Sequence, residues 1–267
     1  MGKAIDTVLA FSTQAGAGAF PIALAGAGSD SLTIRSFNRD KKAILQQVVY
    51  SAGGAQKLRI ISPLLHDNVT GLTFQPSETP SQFIVPPGAT IDLAPMDTLT
   101  VQGACAGATT ITAGLQIYYE DLDGVEARLF SWPDIRSIQK YVKSVEVASG
   151  AVAVGAWTDT ALTTTENQLH ADEYYAVLGW ESNQAVDLIG FKGSATGNLR
   201  IAGPGTTETL DVSNYFVYMS ERTGRPCIPV FNANDRTAFY VSCANHAAIA
   251  GATAEVYPIL VQLTKRP

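Results

Sequence analysis

The sequence predicts an all-β protein built as two tandem sandwiches joined by a short helical linker. Three observations lead there. Short apolar–polar alternating runs, punctuated by Gly and Pro, recur along the whole chain, which is the pattern of antiparallel sandwiches. These runs do not alternate with long helices, which argues against a parallel α/β sheet. Finally, the stretch 97–122 has a counterpart at 236–263. Each holds a β-rich run, a Cys among small residues (Cys105, Cys243), the tripeptide Gly-Ala-Thr and a closing apolar strand. A proline-marked strand precedes each, Phe83-Ile84-Val85-Pro86 in one and Cys227-Ile228-Pro229-Val230 in the other. Recurrence over such a span predicts two copies of one unit.

Taken in order, residues 1–29 are Ala/Gly-rich and apolar, and the backbone entropy of glycine disfavours a helix there. They read as an extended apolar arm that packs on its own domain or a neighbour. The first sandwich spans 30–122. Strand signals cover 31–37, 57–61 and 71–74, while 43–50 is ambiguous between strand and short helix. A linker follows over 123–143. In it, Ser131 and Asp134 have capping-box spacing and Pro133 occupies the first turn, so a helix starts there. Ile135, Ile138 and Val142 then share one face, flanked by Arg136, Lys140 and Lys143. The second sandwich spans 144–267. A hairpin pattern surrounds Ser149-Gly150, and further runs lie at 174–180, 186–191, 199–201, 215–219, 227–231, 238–243 and 256–263. Eight strands in two facing sheets is the jelly-roll count, so the predicted class is two tandem eight-stranded jelly-roll sandwiches.

Length and composition are compatible with this. A chain of 267 residues is a prior for about two domains and is long enough to bury cores without staples. Only 16% of residues are charged, while Gly, Ala and Thr abound. That fits closely packed β-structure, either as an obligate oligomer or as an ordinary small-residue-rich protein. Three cysteines, Cys105, Cys227 and Cys243, lack metal-ligand spacing and do not form a disulfide framework. They read as buried thiols in a protein assembled in a reducing compartment.

A net charge of −6 argues against a dedicated nucleic-acid binder, yet the charge is unevenly spread. Lys3, Arg35, Arg39, Lys41, Lys42, Lys57 and Arg59 come early, and the next basic residue is Arg128. Asp67, Glu78, Asp92, Asp97, Glu120, Asp121, Asp123 and Glu126 fall in the gap, which predicts surfaces of different sign. Asp6 interrupts the apolar start and stands where a myristoylation signal needs Ser or Thr, so no targeting signal is expected. No stretch of about 20 apolar residues is present.

Chemistry is sparse. His66, His170 and His246 are each isolated, and no His-Glu-x-x-His, Cys-x-x-Cys or Gly-x-Ser-x-Gly pattern occurs. Asp121-Leu122-Asp123-Gly124-Val125-Glu126 superficially resembles a calcium loop but lacks the remaining oxygen ligands, and an acidic turn is the preferred reading. Trp157, Trp180, Tyr118, Tyr119, Tyr174, Tyr175, Tyr215, Phe216 and Tyr218 could line a sugar-binding face, although most lie in apolar runs that suit a core. The expectation is therefore no enzyme, with no catalytic, cofactor or metal site. The alternative is a carbohydrate- or receptor-binding module.

With its two jelly-roll-like copies, its helical connector, its apolar arm and its lack of catalytic residues, the chain resembles the double jelly-roll major capsid proteins of tailless icosahedral viruses. That lineage includes membrane-containing bacteriophages and adenovirus. The resemblance is architectural and covers about residues 30–264. It implies a homotrimer that forms a pseudo-hexagonal tile, contacts with neighbouring capsomers and with minor capsid or penton proteins, and a place in the virion after assembly in the host cytoplasm. It also implies that Arg35, Arg39, Lys41 and Lys42 form a basic cluster on the inner face, toward genome or membrane. A small-molecule substrate and a cofactor are not implied.

Overall fold

The computed structural model describes residues 2–15, 22–23, 31–38, 40–52, 56–62, 71–75, 80–105, 108–163, 169–205, 212–245, 254–265 and 267. The chain is predominantly β, arranged in several antiparallel sheets. The described residues up to 122 supply ten strands: β1 (Gly2–Ala15), β2 (Ile22–Ala23), β3 (Ser31–Thr33), β4 (Ala43–Ala52), β5 (Gln56–Ile61), β6 (Leu72–Phe74), β7 (Ser81–Ile84), β8 (Asp92–Leu93), β9 (Thr98–Cys105) and β10 (Ala108–Leu122). They form two sheets. Sheet I runs β1-β10-β4-β7 with β8 added to β4, and sheet II runs β2-β9-β5-β6 with β3 added to β9.

The second half begins with β11 (Leu129–Phe130), helix α1 (Trp132–Arg136), β12 (Gln139–Ser144), β13 (Val147–Ala148), β14 (Thr158–Ala161), β15 (Tyr174–Ser182), β16 (Leu188–Lys192) and β17 (Arg200–Pro204). Helix α2 (Tyr215–Thr223) follows, then β18 (Ile228–Asn232), β19 (Tyr240–Ala244) and β20 (Glu255–Leu263). Sheet III runs β14-β19-β16-β17. Sheet IV runs β11-β18-β15-β20-β12, with β13 also on β20.

Both halves repeat one topology. In chain order, the eight main runs of the first half are β1, β2/β3, β4, β5, β6, β7/β8, β9 and β10; those of the second are β12/β13, β14, β15, β16, β17, β18, β19 and β20. Each half then has one sheet ordered 1-8-3-6 and another ordered 2-7-4-5. The recurrent stretches 97–122 and 236–263 contain the seventh and eighth runs of the two halves. Alternation decides the cores. Leu45, Val48, Leu115 and Ile117 of sheet I meet Leu58, Ile60, Leu99 and Val101 of sheet II. In the second half, Tyr175, Val177, Trp180 and Leu260 meet Ile189, Phe191, Ile201 and Val241.

Four elements differ from the sequence reading. The arm expected over 1–29 gives way over its first half, because Gly2–Ala15 pairs along its length with β10 as the edge of sheet I. The helix expected to reach Val142 is five residues long and ends at Arg136. Val142 instead pairs with Val261, since extending sheet IV supplies hydrogen bonds that an isolated short helix lacks. The 215–219 run is helical: Tyr215, Phe216, Met219 and Ser220 are buried at helical spacing, and Gly224 (φ +66°) closes the helix in the left-handed conformation. The second run, Thr158–Ala161, is too polar to have been read as a strand. The ambiguous 43–50 run is strand throughout.

Gly2 pairs with Leu122 and Gln139 with Leu263, so each half starts its first run and ends its eighth at one end. The linker stays at that end, where Arg128 N–H donates to Ala195 O at 2.7 Å and the Arg128 guanidinium lies 3.9 Å from Asp235. The two sandwiches therefore stand side by side with the same polarity.

Candidate functional site

The seam between the halves follows from the faces that alternation leaves over. One face of sheet I enters its own core. The other, with Ile5, Thr7 and Leu9 on β1, Gly114, Gln116 and Tyr118 on β10, and Gln46, Gln47, Val49 and Ser51 on β4, turns to sheet III and α2. Across its middle runs a buried polar row. Gln116 Nε2 donates to Ala202 O at 2.8 Å and to the Tyr215 hydroxyl at 3.3 Å, and Gln46 Nε2 donates to Gln116 Oε1 at 3.0 Å. The Tyr215 hydroxyl donates to Gln47 Oε1, and Thr7 Oγ1 accepts from Ala202 N–H at 2.9 Å. Burial pushes the Tyr215 phenol up, so it remains a protonated donor. Ala202 lies on β17, the edge of sheet III, and the other half's Thr7 and Gln116 thus satisfy its main-chain groups.

Toward the other end of the seam the contact turns apolar. Leu9, Val49, Leu188 and Ala244 cluster there with Trp157 against them. A Cβ on Gly114 would lie 2.6 Å from Leu188 Cδ2, so this glycine sets how closely the sandwiches approach. Ser51 Oγ donates to the buried Asp187 carboxylate at 2.7 Å, which adds another cross-link. Beside the seam, Asp159 gathers charge: Arg200 Nη2 reaches its two oxygens at 2.9 and 2.8 Å, Ser242 Oγ donates to it at 2.6 Å, and Lys192 stands 3.8 Å away. The Arg200 guanidinium also stacks 4.6 Å from the Trp157 ring centre. Burial would raise the Asp159 carboxyl, but the Ser242 hydrogen bond and the Arg200 and Lys192 charges hold it below the usual carboxylate value.

The predicted basic cluster is only partly assembled. Arg35 and Lys42 lie at the end where β1 starts and β10 finishes, but acids interleave them. Arg35 Nε is 2.8 Å from Asp6, and Lys42 Nζ is 3.3 Å from Asp92 while its backbone N–H donates to Glu120. Burial works against the Arg35 charge, and Asp6 more than offsets it. Lys41 is exposed beside them, and Arg39 lies outside the described residues. Sequence reading missed the acids because strand pairing, not chain proximity, brings them in.

The other sequence candidates resolve as structure. Trp180, Tyr119, Tyr175 and Phe216 are fully buried, and Tyr118 and Tyr215 nearly so; Tyr218 is exposed. The stretch 121–126 is a turn at Gly124 (φ +70°), with Asp121 buried and Asp123 exposed. Burial raises Cys227 to about 11 and Cys243 to about 12, so both are neutral thiols rather than nucleophilic thiolates at neutral pH. The Cys105 side chain, His66 and His246 lie outside the described residues. Among the described residues, no group of three or more His, Cys, Asp or Glu could hold a metal ion.

Two sheet faces carry exposed residues on the side away from their cores. Sheet II turns Lys57, Arg59, Thr73, Thr98 and Thr100 outward, because Leu58, Ile60, Leu99 and Val101 take the core side. Sheet IV leaves Val142, Ser144, Glu146 and Glu181 exposed, with Val142 64% exposed, while Tyr257 is half-buried and Ile259 packs against the core.

Neither a family model nor a curated protein matches this chain. Among solved structures, it is similar to the T=1 Penaeus vannamei nodavirus structure at 8% identity and a TM-score of 0.25, covering 99% of each chain. It is also similar to the recombinant peptide:N-glycanase F at 12% identity and a TM-score of 0.21, covering 97% of this chain and 96% of that one. Scores this low assign neither fold nor function.

Proposed function

We propose that this chain is a double jelly-roll major capsid protein, a non-enzymatic building block of an icosahedral viral shell. The observation that carries this is the front-to-back packing of two sandwiches with one topology. The 1-8-3-6 sheet of the first half packs on the 2-7-4-5 sheet of the second. The nested 1-8-3-6 and 2-7-4-5 orders support the jelly-roll assignment. A head-to-tail contact of this kind builds a ring when its rotation closes. Three chains would supply six similar sandwiches, a homotrimer with a pseudo-hexagonal outline. Its lateral partners would be further trimers and minor capsid or penton proteins.

On this reading the end that carries Arg35, Arg39, Lys41 and Lys42 faces the interior of the virion, toward genome or membrane. With Asp6, Asp92 and Glu120 interleaved, that contact would be shallow and salt-sensitive. The burial of most aromatics gives a glycan-binding module little support. The test is size-exclusion chromatography with light scattering and electron microscopy of the purified full chain. Trimers with a hexagonal outline, or closed shells, are expected; a protein that stays monomeric as its concentration is raised overturns the reading.

A further inference from the structure

We infer that the free edge of β12 pairs antiparallel with β12 of a second copy across a two-fold axis, joining sheet IV of two chains into one continuous sheet. The inference rests on the shell reading above and adds a second contact to it. The ring within a tile is built from sheet faces, whereas tiles must also be joined to one another. A strand edge on the rim is suited to that joint.

The edge is open along its length. β12 is the last strand of sheet IV and pairs with β20, and β13 continues along the same side of β20. Gln139, Lys140, Tyr141, Val142, Ser144 and Glu146 are exposed, Tyr141 to 65% and Val142 to 64%. Two large apolar side chains in succession on a sheet edge form a template for another strand. Register identifies the main-chain groups on offer. Val145 N–H donates to Pro258 O at 3.3 Å, and Val142, Lys143 and Ser144 stand opposite Val261, Leu260 and Ile259. Hydrogen-bonded and non-hydrogen-bonded pairs alternate along an antiparallel ladder. Lys143 and Val145 therefore turn their main-chain groups to β20, while Val142 and Ser144 turn theirs to the open edge. Glu146, one residue before the Val147–Val256 pair, does likewise.

Charge then selects the partner and its register. Setting Val142 opposite Ser144 of the second copy brings the outward main-chain groups of both together, and such a pair exchanges two hydrogen bonds. The same register sets Lys140 opposite Glu146 of the second copy, and the two-fold axis repeats both pairings. On the other face Lys143 meets its own symmetry mate. Aromatic rings relieve that repulsion: Lys143 Nζ already lies 5.8 Å from the centre of the Tyr175 ring, and Tyr141 of the second copy stands diagonally across from it. Lysines on an edge ordinarily guard against strand addition. Here they exclude a strand that lacks an acid at the matching position, and β12 supplies that acid to itself. Such self-complementarity is the property of a two-fold contact between identical chains.

The test takes the purified full chain through a concentration series, read by light scattering and electron microscopy. Lys140→Glu and Glu146→Lys, each alone, should raise the concentration at which trimers join about tenfold, and the two together should restore it. Ser144→Pro removes an N–H on the open edge, where proline is tolerated, and should block the joint while leaving the trimer whole. Circular dichroism on every variant separates lost association from lost folding. Trimers that never join, that join equally well in all of these variants, or that stay apart in the double variant overturn the inference and leave the trimer standing. Dimers dissociated by the same substitutions, with no trimer at any concentration, support the edge contact and overturn the shell reading. A wild type that stays monomeric overturns both.

Discussion

The two halves share a strand order but not a core. The first packs mainly Leu, Ile, Val and Ala between its sheets. The second fills the same space with rings. Trp180 lies 5.8 Å from Phe191, 4.8 Å from Tyr215 and 5.4 Å from Phe216, and Phe191 and Phe231 both stack on Phe239. It also inserts α2 between its fifth and sixth runs, and from there Tyr215 reaches the first half. One topology therefore tolerates two core chemistries, because the pattern of inward positions specifies the sandwich while volume is filled case by case. The second half is also the one that extends into the seam, so its packing and the coupling of the halves should fail together.

The harshest way to break this contrast is Trp180→Ala. It should cost about 3–5 kcal/mol and, because Trp180 contacts Tyr215, loosen the seam too, which chemical denaturation monitored in both halves would show. Trp180→Phe should cost much less, since the indole N–H has no hydrogen-bond partner among the described residues. Gly114→Val comes next. Its Cβ intrudes on Leu188, so about 1–3 kcal/mol of overpacking falls on the seam and leaves both cores alone. Its diagnostic is separate unfolding of the two halves by calorimetry. Gln116→Leu should cost about 1–3 kcal/mol, because it strips a donor from buried Ala202 O and leaves Gln46 facing an apolar group.

The smallest effect concerns pH. The Asp159 carboxyl is depressed in the folded chain, so its stabilisation is complete above its unfolded value near 4. It is lost as pH falls through the folded value. Asp159→Asn should therefore flatten the stability profile below about pH 4 and leave the neutral plateau lowered by less than about 1 kcal/mol, since the site is partly exposed. An acid limb as steep in the variant as in the wild type would show that the Arg200 cluster contributes nothing there.

Several of these features were visible in the sequence. The recurrence of 97–122 at 236–263 marked the closing pairs of runs, and the proline-marked strands before them are β7 and β18. Capping at Ser131 and Asp134 located the start of α1, with the Ser131 N–H donating to Asp134 at 3.1 Å. What misled was short apolar periodicity, which does not separate helix from strand at 215–219 or set the end of α1 before Val142. The site was less legible still. Asp159, Lys192, Arg200 and Ser242 come from four strands, and Thr7 meets Ala202 from the far end of the chain, so no local spacing announces either group.

The sequence by itself determined the β class, the recurrence of one pattern near the end of each half and the inward faces of most strands, because alternation and turn chemistry act over a few neighbouring residues. Only the tertiary structure decided that Gly2–Ala15 is a sheet edge rather than an arm, that three glutamines join the halves, and that acids interleave Arg35 and Lys42. Those outcomes depend on pairing between residues far apart in the chain, and a buried amide or an ion pair gains its meaning only from the partner that folding brings to it.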